Sequence, residues 1–234
     1  MVFTELFHCK TFWIRAFTLS FISFTFRPFL KENENEVPYE VIQKIQTIID
    51  NNPYLEGKIK ATPETIHVFK DKYLLMSGVS HIAERHQDPC FPGSLFLVDE
   101  SQVKEAILNI VREMSPQAGK VLAVPSGVSN LGMERLVKAT PEEISDFEDY
   151  EMKGRTPVKV KIKREGQNPG QVTDRLTVIA PSIGEAGGKP VLSLVTAFPG
   201  FMGTGQGGDG DIEIKDRADF TKNGYYFLIP EKCK

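Results

Sequence analysis

Two of the four histidines in this chain, His81 and His86, lie close together. Imidazole exchanges protons near neutral pH, so a pair of them could act as general base and general acid. A helix that begins near Ser77 would place His81 and Arg85 on one face, because they are four residues apart. His86 would fall on the apolar side, unless the helix ends at Arg85 and frees His86 to turn toward the same cleft. The alternative is that His86 is a core histidine and His81 a solvated one.

A second candidate feature is a strand, between residues 157 and 164, in which basic and apolar residues alternate. Successive side chains of a strand point to opposite faces, so the lysines share one face with a spacing of about 6.6 to 7 Å. That spacing suits a phosphodiester backbone, although exposed lysines are also common on ordinary solvated sheet faces. The candidate phosphate-binding residues are Lys159, Lys161, Lys163 and Arg164, with Arg85 from the histidine segment.

A late apolar run, residues 191–198, predicts one strand that carries a hydroxyl, Thr196, near its exit. This hydroxyl could donate a hydrogen bond to a phosphoryl oxygen, or it could bond a neighbouring backbone group. Six glycines follow between residues 200 and 210. Because no amphipathic helix opens after them, we expect a flexible hairpin loop and no dinucleotide site. The motifs indicate no metal site and no cofactor.

Composition limits the class of protein. The chain has 234 residues, 41% of them hydrophobic, and a net charge of −3. These values are typical of a globular protein and exclude a chain that binds nucleic acid through an all-positive surface. The three cysteines, Cys9, Cys90 and Cys233, are odd in number and lack C-x-x-C spacing, which argues against a disulfide framework and a structural zinc. A reducing compartment is the simplest interpretation.

The elements that would hold these residues are helices first and strands afterwards. Apolar spacing predicts a helix over residues 41–49 that stops at Asn51 and a second over 102–114, capped by Asp99 or Ser101. A capping box at Thr140 predicts a short third helix. The expected fold is α+β, with N-terminal helices followed by a largely antiparallel, twisted C-terminal sheet. The predicted strands are residues 58–61 and 65–69, which would form a hairpin, and residues 120–124, 157–163, 175–180, 191–198 and 225–229.

Residues 1–37 differ from the rest in composition. They comprise an aromatic N-terminal arm and a polar linker, and the body of the protein is expected to span residues 38–234. The uncharged run over residues 16–26 is too short for a membrane-spanning helix, which needs about 20 residues. The remaining interpretations are a cleaved secretory signal, a buried strand pair or loosely packed arm, and a membrane-surface anchor.

Three features together resemble the barnase/EndoU/colicin/RelE-like group of metal-independent endoribonucleases, many of which are toxins. They are the helical segment Ser80-His81-Ile82-Ala83-Glu84-Arg85-His86, the basic middle strands, and the stretch Val195-Thr196-Ala197-Phe198-Pro199. In that group an H-I-x-x-R-H-like helix supplies a catalytic histidine, and a hydroxyl on a late strand completes the site. The likeness covers residues 66–230. This chain departs from the group in its Gly-rich insertion, its last strand and its aromatic arm.

The resemblance implies cleavage of RNA, tRNA among the candidate targets, to a 2′,3′-cyclic phosphate without metal or cofactor. His81 would take the proton from the 2′-OH, and His86 or a lysine would protonate the leaving oxygen. Arg85, Lys161 or Lys163 would neutralise the phosphorane, and Thr196 would add a hydrogen bond. The resemblance also implies a cytoplasmic site of action, with secretion or delivery for a toxin, and an acidic inhibitor as partner.

Two other classes of function compete with a ribonuclease. A non-enzymatic binding module would use the basic strand and the Gly-rich loop to bind a protein or an anionic partner, with both histidines structural. A nucleotide-dependent transferase such as an ADP-ribosyltransferase has a similar element composition. The sequence lacks the Arg, Ser-Thr-Ser and Glu-x-Glu set that such a transferase needs, and Glu213, in Asp211-Ile212-Glu213-Ile214, is the only late glutamate in a strand-like alternation.

Overall fold

Residues 37–152, 158–200 and 224–233 are described by a computed structural model, except for the side chains of His81, Arg85, Met152 and Val158. The helices are α1 (Tyr39–Asp50), α2 (Val79–Gln87) and α3 (Glu100–Glu113), with a 3₁₀ turn at Glu143–Asp146. The strands are β1 (Ile66–Val68), β2 (Tyr73–Leu75), β3 (Leu95–Phe96), β4 (Lys120–Pro125), β5 (Gly132–Glu134), β6 (Leu136–Lys138), β7 (Glu148–Met152), β8 (Val158–Arg164), β9 (Gln171–Thr173), β10 (Arg175–Ile179), β11 (Ser182–Ala186), β12 (Lys189–Ser193), β13 (Thr196–Pro199) and β14 (Tyr225–Ile229).

The predicted α+β class is confirmed, since the helices lie in the first half of the chain and most strands follow the last helix. In the described part of the chain the strands form four small sheets. Their strand orders are β1-β2-β12-β11, β13-β10-β4, β6-β14-β8-β7 and β3-β5-β9. Only the pairs β2/β12 and β8/β14 are parallel among the described strands, so the sheets are largely antiparallel as predicted.

The two helices predicted from apolar spacing are both present. In α1, Ile45 and Ile49 are fully buried against residues of the first sheet, and the helix ends before Asn51 as predicted. In α3 the Asp99 carboxylate caps the helix by accepting a hydrogen bond from the Gln102 backbone N–H at 3.0 Å. The apolar face of α3 packs on β10 and β4, so one side of the sheet β13-β10-β4 lies in the same hydrophobic core as α3.

The hairpin predicted between residues 58–61 and 65–69 is wrong. Residues 58–61 form no strand, and β1 pairs instead with β2, with Ile66 opposite Leu75. The chain reverses at residues 70–72, after the predicted second strand rather than before it. The capping box is only partly realised: the Glu143 carboxylate accepts from the Thr140 N–H at 2.8 Å, but a single 3₁₀ turn follows in place of a helix.

The strand predicted over residues 191–198 is divided between two sheets. The first part, β12, pairs with β2, and the second part, β13, pairs with β10. At the crossing, the Leu194 N–H donates to the Leu75 carbonyl at 3.0 Å and the Val195 N–H donates to the Ile179 carbonyl at 2.9 Å. Thr196 therefore begins a new strand, because the backbone changes its hydrogen-bonding partner at residues 194 and 195.

A disulfide joins Cys90 to Cys233, so the argument against disulfides is wrong for this pair. The two cysteines are 143 residues apart in sequence, and their Cα atoms are 5.3 Å apart. Cys90 follows α2 and Cys233 follows β14, and both lie in an apolar cluster with Val160 and Ile162 of β8. The spacing of the cysteines along the chain could not indicate this pairing, because the fold alone brings the two segments together.

Candidate functional site

Helix α2 carries the histidine segment and begins directly after Gly78, whose φ of +82° turns the chain into the helix. Val79, Ile82 and Ala83 are buried on its inner face, whereas Glu84 is exposed. The helix continues through residue 87 and does not end at Arg85. The condition under which His86 could turn outward is therefore not met.

His86 lies on the buried face of α2, with 7% of its surface exposed. Its Nδ1 is 2.7 Å from the Ser94 carbonyl oxygen, which can only accept, so Nδ1 carries the proton. Its ring contacts Phe91, Phe96 and Phe198 at centroid distances of 5.7, 5.9 and 6.3 Å. These contacts match the core-histidine alternative for His86.

His81 and Arg85 are part of α2, but their side chains lie outside what the structure describes. Of the other histidines, His8 also lies outside the described residues. His67 is in β1, where burial and the nearby Lys104 ammonium lower the pKa of its imidazole below the usual 6.5. His67 belongs to the first sheet and not to the sheet that contains Thr196.

The segments that lead into helix α2 and strand β13 are paired with each other, and the two elements are in contact farther along. They leave β2 and β12 respectively, where Leu75 is paired with Ser193 and the Leu194 N–H bonds the Leu75 carbonyl. Farther along, the rings of His86 and Phe198 are in contact. Because the two segments are connected before α2 and β13 begin and again at His86 and Phe198, they run in the same direction. This arrangement brings the backbone positions of His81 and Thr196 to the same end of the two elements.

Strand β13 is held to its sheet by a buried hydroxyl that the sequence analysis did not single out. Thr177 is fully buried; its Oγ1 accepts from the Ala123 N–H at 3.0 Å and donates to the Gly200 carbonyl at 2.8 Å. Ala123 has a φ of +43° at a β-bulge, and the Arg175 Nε donates to its carbonyl at 2.6 Å. The bulge therefore bends β4 within the sheet that also contains Thr196.

The predicted basic residues other than Arg85, namely Lys159, Lys161, Lys163 and Arg164, lie on β8, in a different sheet from Thr196. Each faces an acidic side chain of the preceding segment: Lys161 pairs with Asp149 at 3.0 Å and Lys163 with Asp146 at 3.6 Å. In the register of β7 and β8, Lys159 is opposite Glu151. Arg164 pairs with the Glu148 carboxylate, and its Nε donates to the Cys233 carbonyl at 2.7 Å. The charges of Lys161, Lys163 and Arg164 are therefore largely neutralised by carboxylates of the segment that precedes β8.

An open groove with an acidic lining lies elsewhere in the described part of the molecule. It encloses about 600 Å³ between Glu134, Glu165 and the loop at residues 166–171. None of the predicted site residues lines it, and its two carboxylates would repel a polyanion. Among the described residues, no three His, Cys, Asp or Glu side chains come together as metal ligands would. Within the same residues, no helix combines the length and apolar character needed to cross a membrane.

Comparisons with known proteins give no family for this chain. No protein-family model matches it, and neither a curated protein nor a solved structure matches it. Only the chain's own residues and their arrangement therefore indicate a function.

Proposed function

We propose that this protein is a metal-independent endoribonuclease whose site lies where α2 and β13 begin. The observation that carries the proposal is the connection of these two elements: the segments that lead into the His81–His86 helix and into the strand that starts at Thr196 are hydrogen-bonded to each other, and His86 and Phe198 are in contact farther along. A proton-transfer group and a hydroxyl at one end of a helix and strand match the requirements of phosphodiester transesterification.

In the proposed reaction the His81 imidazole accepts the proton of a ribose 2′-OH. The 2′ oxygen then forms a bond to phosphorus, the bond from phosphorus to the 5′ oxygen breaks, and a proton is delivered to that leaving oxygen. The products are a 2′,3′-cyclic phosphate and a 5′-OH. The Thr196 hydroxyl donates to a non-bridging oxygen, where one such donor typically lowers the barrier by about 2.7 to 4 kcal/mol.

His86 has a different part in this proposal from the one that the resemblance implies. Its Nδ1–H is bonded to the Ser94 carbonyl and its ring is enclosed by three phenylalanines. It acts as a positioning residue that fixes α2 against β13 through Phe198. A lysine ammonium is then the better candidate for the acid that protonates the leaving oxygen.

The test is RNA cleavage by the full chain in the presence of EDTA. We expect fragments that end in cyclic phosphate, and a loss of about 10²- to 10⁴-fold in rate for His81→Ala. Glu84→Ala is the matched control, because Glu84 is an exposed residue of the same helix. Circular dichroism of both variants checks that the fold is retained. Undiminished cleavage by a folded His81→Ala variant would contradict the assignment, as would wild-type protein that leaves RNA intact.

The second candidate is a binding module without turnover. The buried, hydrogen-bonded state of His86 favours it, because these contacts stabilise structure without any reaction. It predicts that His81→Ala changes nothing and that the wild-type protein produces no fragments. A toxin function, an acidic inhibitor and a cytoplasmic site of action belong to the first proposal and depend on its outcome.

A further inference from the structure

Lys120 lies in the same cross-strand row as Thr196. In the sheet β13-β10-β4, Ile179 is directly opposite Thr196 on one side and directly opposite Lys120 on the other. Directly opposed residues of an antiparallel pair project to the same face of the sheet. Thr196, Ile179 and Lys120 therefore share one face, although 76 residues separate Lys120 from Thr196 in the sequence (196 − 120).

This row is at the open end of its sheet face. The next row, Thr177 opposite Phe198, is buried, whereas Thr196 and Ile179 are half-buried and Lys120 is exposed. The opposite face of the sheet, with Val178 and Ala197, is covered by the core that includes α3. The half-buried Ile179 therefore lies between the Thr196 hydroxyl and the Lys120 ammonium group. A ligand could reach both groups from solvent.

The dimensions and charge of the row suit one phosphate group. Adjacent strands are about 4.8 Å apart, so the Cα atoms of Thr196 and Lys120 are about 9.6 Å apart. The long lysine side chain can lean across Ile179, which leaves room for a phosphodiester between its Nζ and the Thr196 hydroxyl. Lys120 takes part in none of the ion pairs formed by the described residues, in contrast to Lys161 and Lys163.

We propose that Lys120 and Thr196 together bind the scissile phosphodiester of a single-stranded nucleic acid, with Lys120 neutralising its charge. This inference rests on the proposed function, because it assigns the phosphate subsite of that same site. It replaces the lysines of β8 as the cation of the reaction. No residue beyond 200 is needed to build the subsite.

Binding of a single-stranded DNA tests the subsite separately from cleavage, since DNA lacks the attacking 2′-OH. Affinity of the full chain for a short fluorescein-labelled oligonucleotide is measured by anisotropy over a range of salt concentrations. Loss of one phosphate contact lowers the slope of log K against log salt by about 0.7 for a single strand. We expect this change in Lys120→Gln, rescue in Lys120→Arg, and a wild-type slope in Lys159→Gln, which removes the same charge from β8.

Each outcome decides one of the two proposals. Equal affinities and slopes for wild type, Lys120→Gln and Lys159→Gln would overturn the subsite, and so would the absence of measurable DNA binding by the wild type. If the wild type cleaves RNA and Lys120→Gln cleaves at the same rate, the ribonuclease proposal stands and the subsite fails. If Lys120-dependent DNA binding is found without RNA cleavage, the subsite stands as a binding site and the ribonuclease proposal fails. We expect Lys120→Gln to slow cleavage by about 10²-fold.

Discussion

Two rows of side chains on two sheets of this molecule place their lysines in opposite surroundings. On β8, Lys161 and Lys163 face carboxylates of the preceding segment. On the sheet β13-β10-β4, Lys120 shares its row with Ile179 and Thr196, neither of which carries charge. Whether a lysine is free to bind an anionic ligand depends on the side chains that face it from neighbouring segments. The alternation of residues along one strand does not show this.

In helix α2, too, the surroundings of a side chain depend on the side of the element on which it lies. The inner face of the helix includes His86 and packs it among aromatic rings, with its Nδ1 bonded to Ser94. His81 is five residues earlier, near the start of the helix. The helix face on which a residue falls decides its surroundings, as the buried state of His86 shows.

The largest effect is expected from breaking the disulfide that links the segment after α2 to the segment after β14. Cys90 follows α2 and Cys233 follows β14, the strand beside β8. Removing a cross-link across a loop of this length lowers the free energy of unfolding by about 5 kcal/mol in the chain-entropy model. We expect Cys90→Ser to show this loss in urea denaturation without reductant. Cys9→Ser is the control, since Cys9 is not part of this disulfide, and three titratable thiols in unreduced wild-type protein would contradict the pairing.

A smaller loss of unfolding free energy is expected from replacing His86. Its variants also distinguish the role of His86 from that of His81. His86→Phe keeps an aromatic ring in the pocket but leaves the buried Ser94 carbonyl without its donor, which costs about 1 to 3 kcal/mol of unfolding free energy. His86→Asn restores a donor near the position of Nδ1. Because His86 positions α2 and does not touch the substrate in this proposal, we expect both variants, where they remain folded, to cleave RNA more slowly than the wild type and much faster than His81→Ala.

The combination of urea denaturation and cleavage assays on the same samples checks this expectation. A His86→Phe variant that stays folded and loses cleavage as completely as His81→Ala would place His86 at the reacting atoms. The positioning role assigned above would then be wrong, whereas the ribonuclease proposal would be strengthened.

The smallest effect on stability is expected from the ion-paired lysines of β8. A double-mutant cycle of Lys161→Ala and Asp149→Ala should give a coupling energy of about 0.2 to 1 kcal/mol, because the pair is partly exposed and screened. Lys161→Ala should leave RNA cleavage unchanged. A larger loss of cleavage in Lys161→Ala than in Lys120→Gln would reverse the comparison and return the phosphate site to β8.

Elements whose pattern is local could be predicted from the sequence. The spacing of Ile45 and Ile49 in α1 and the cap at Asp99 of α3 depend only on residues within a few positions of one another. Residues 191–198 could not be assigned correctly, because their apolar alternation is the same whether they form one strand or cross between two sheets. The histidine segment and Thr196 were identified from their residue types, and the helix that holds His86 was predicted together with its buried side.

By itself, the amino-acid sequence determined the α+β class, two of the helices, and which side chains have the chemistry for proton transfer and phosphate binding. Only the tertiary structure decided which of these side chains meet. It paired Lys161 with Asp149, aligned Lys120 with Thr196 through Ile179, and joined Cys90 to Cys233. The physical reason is that strand register and chain crossings are set by packing between distant segments, so the neighbours of a residue across a sheet are not recorded in the sequence around it.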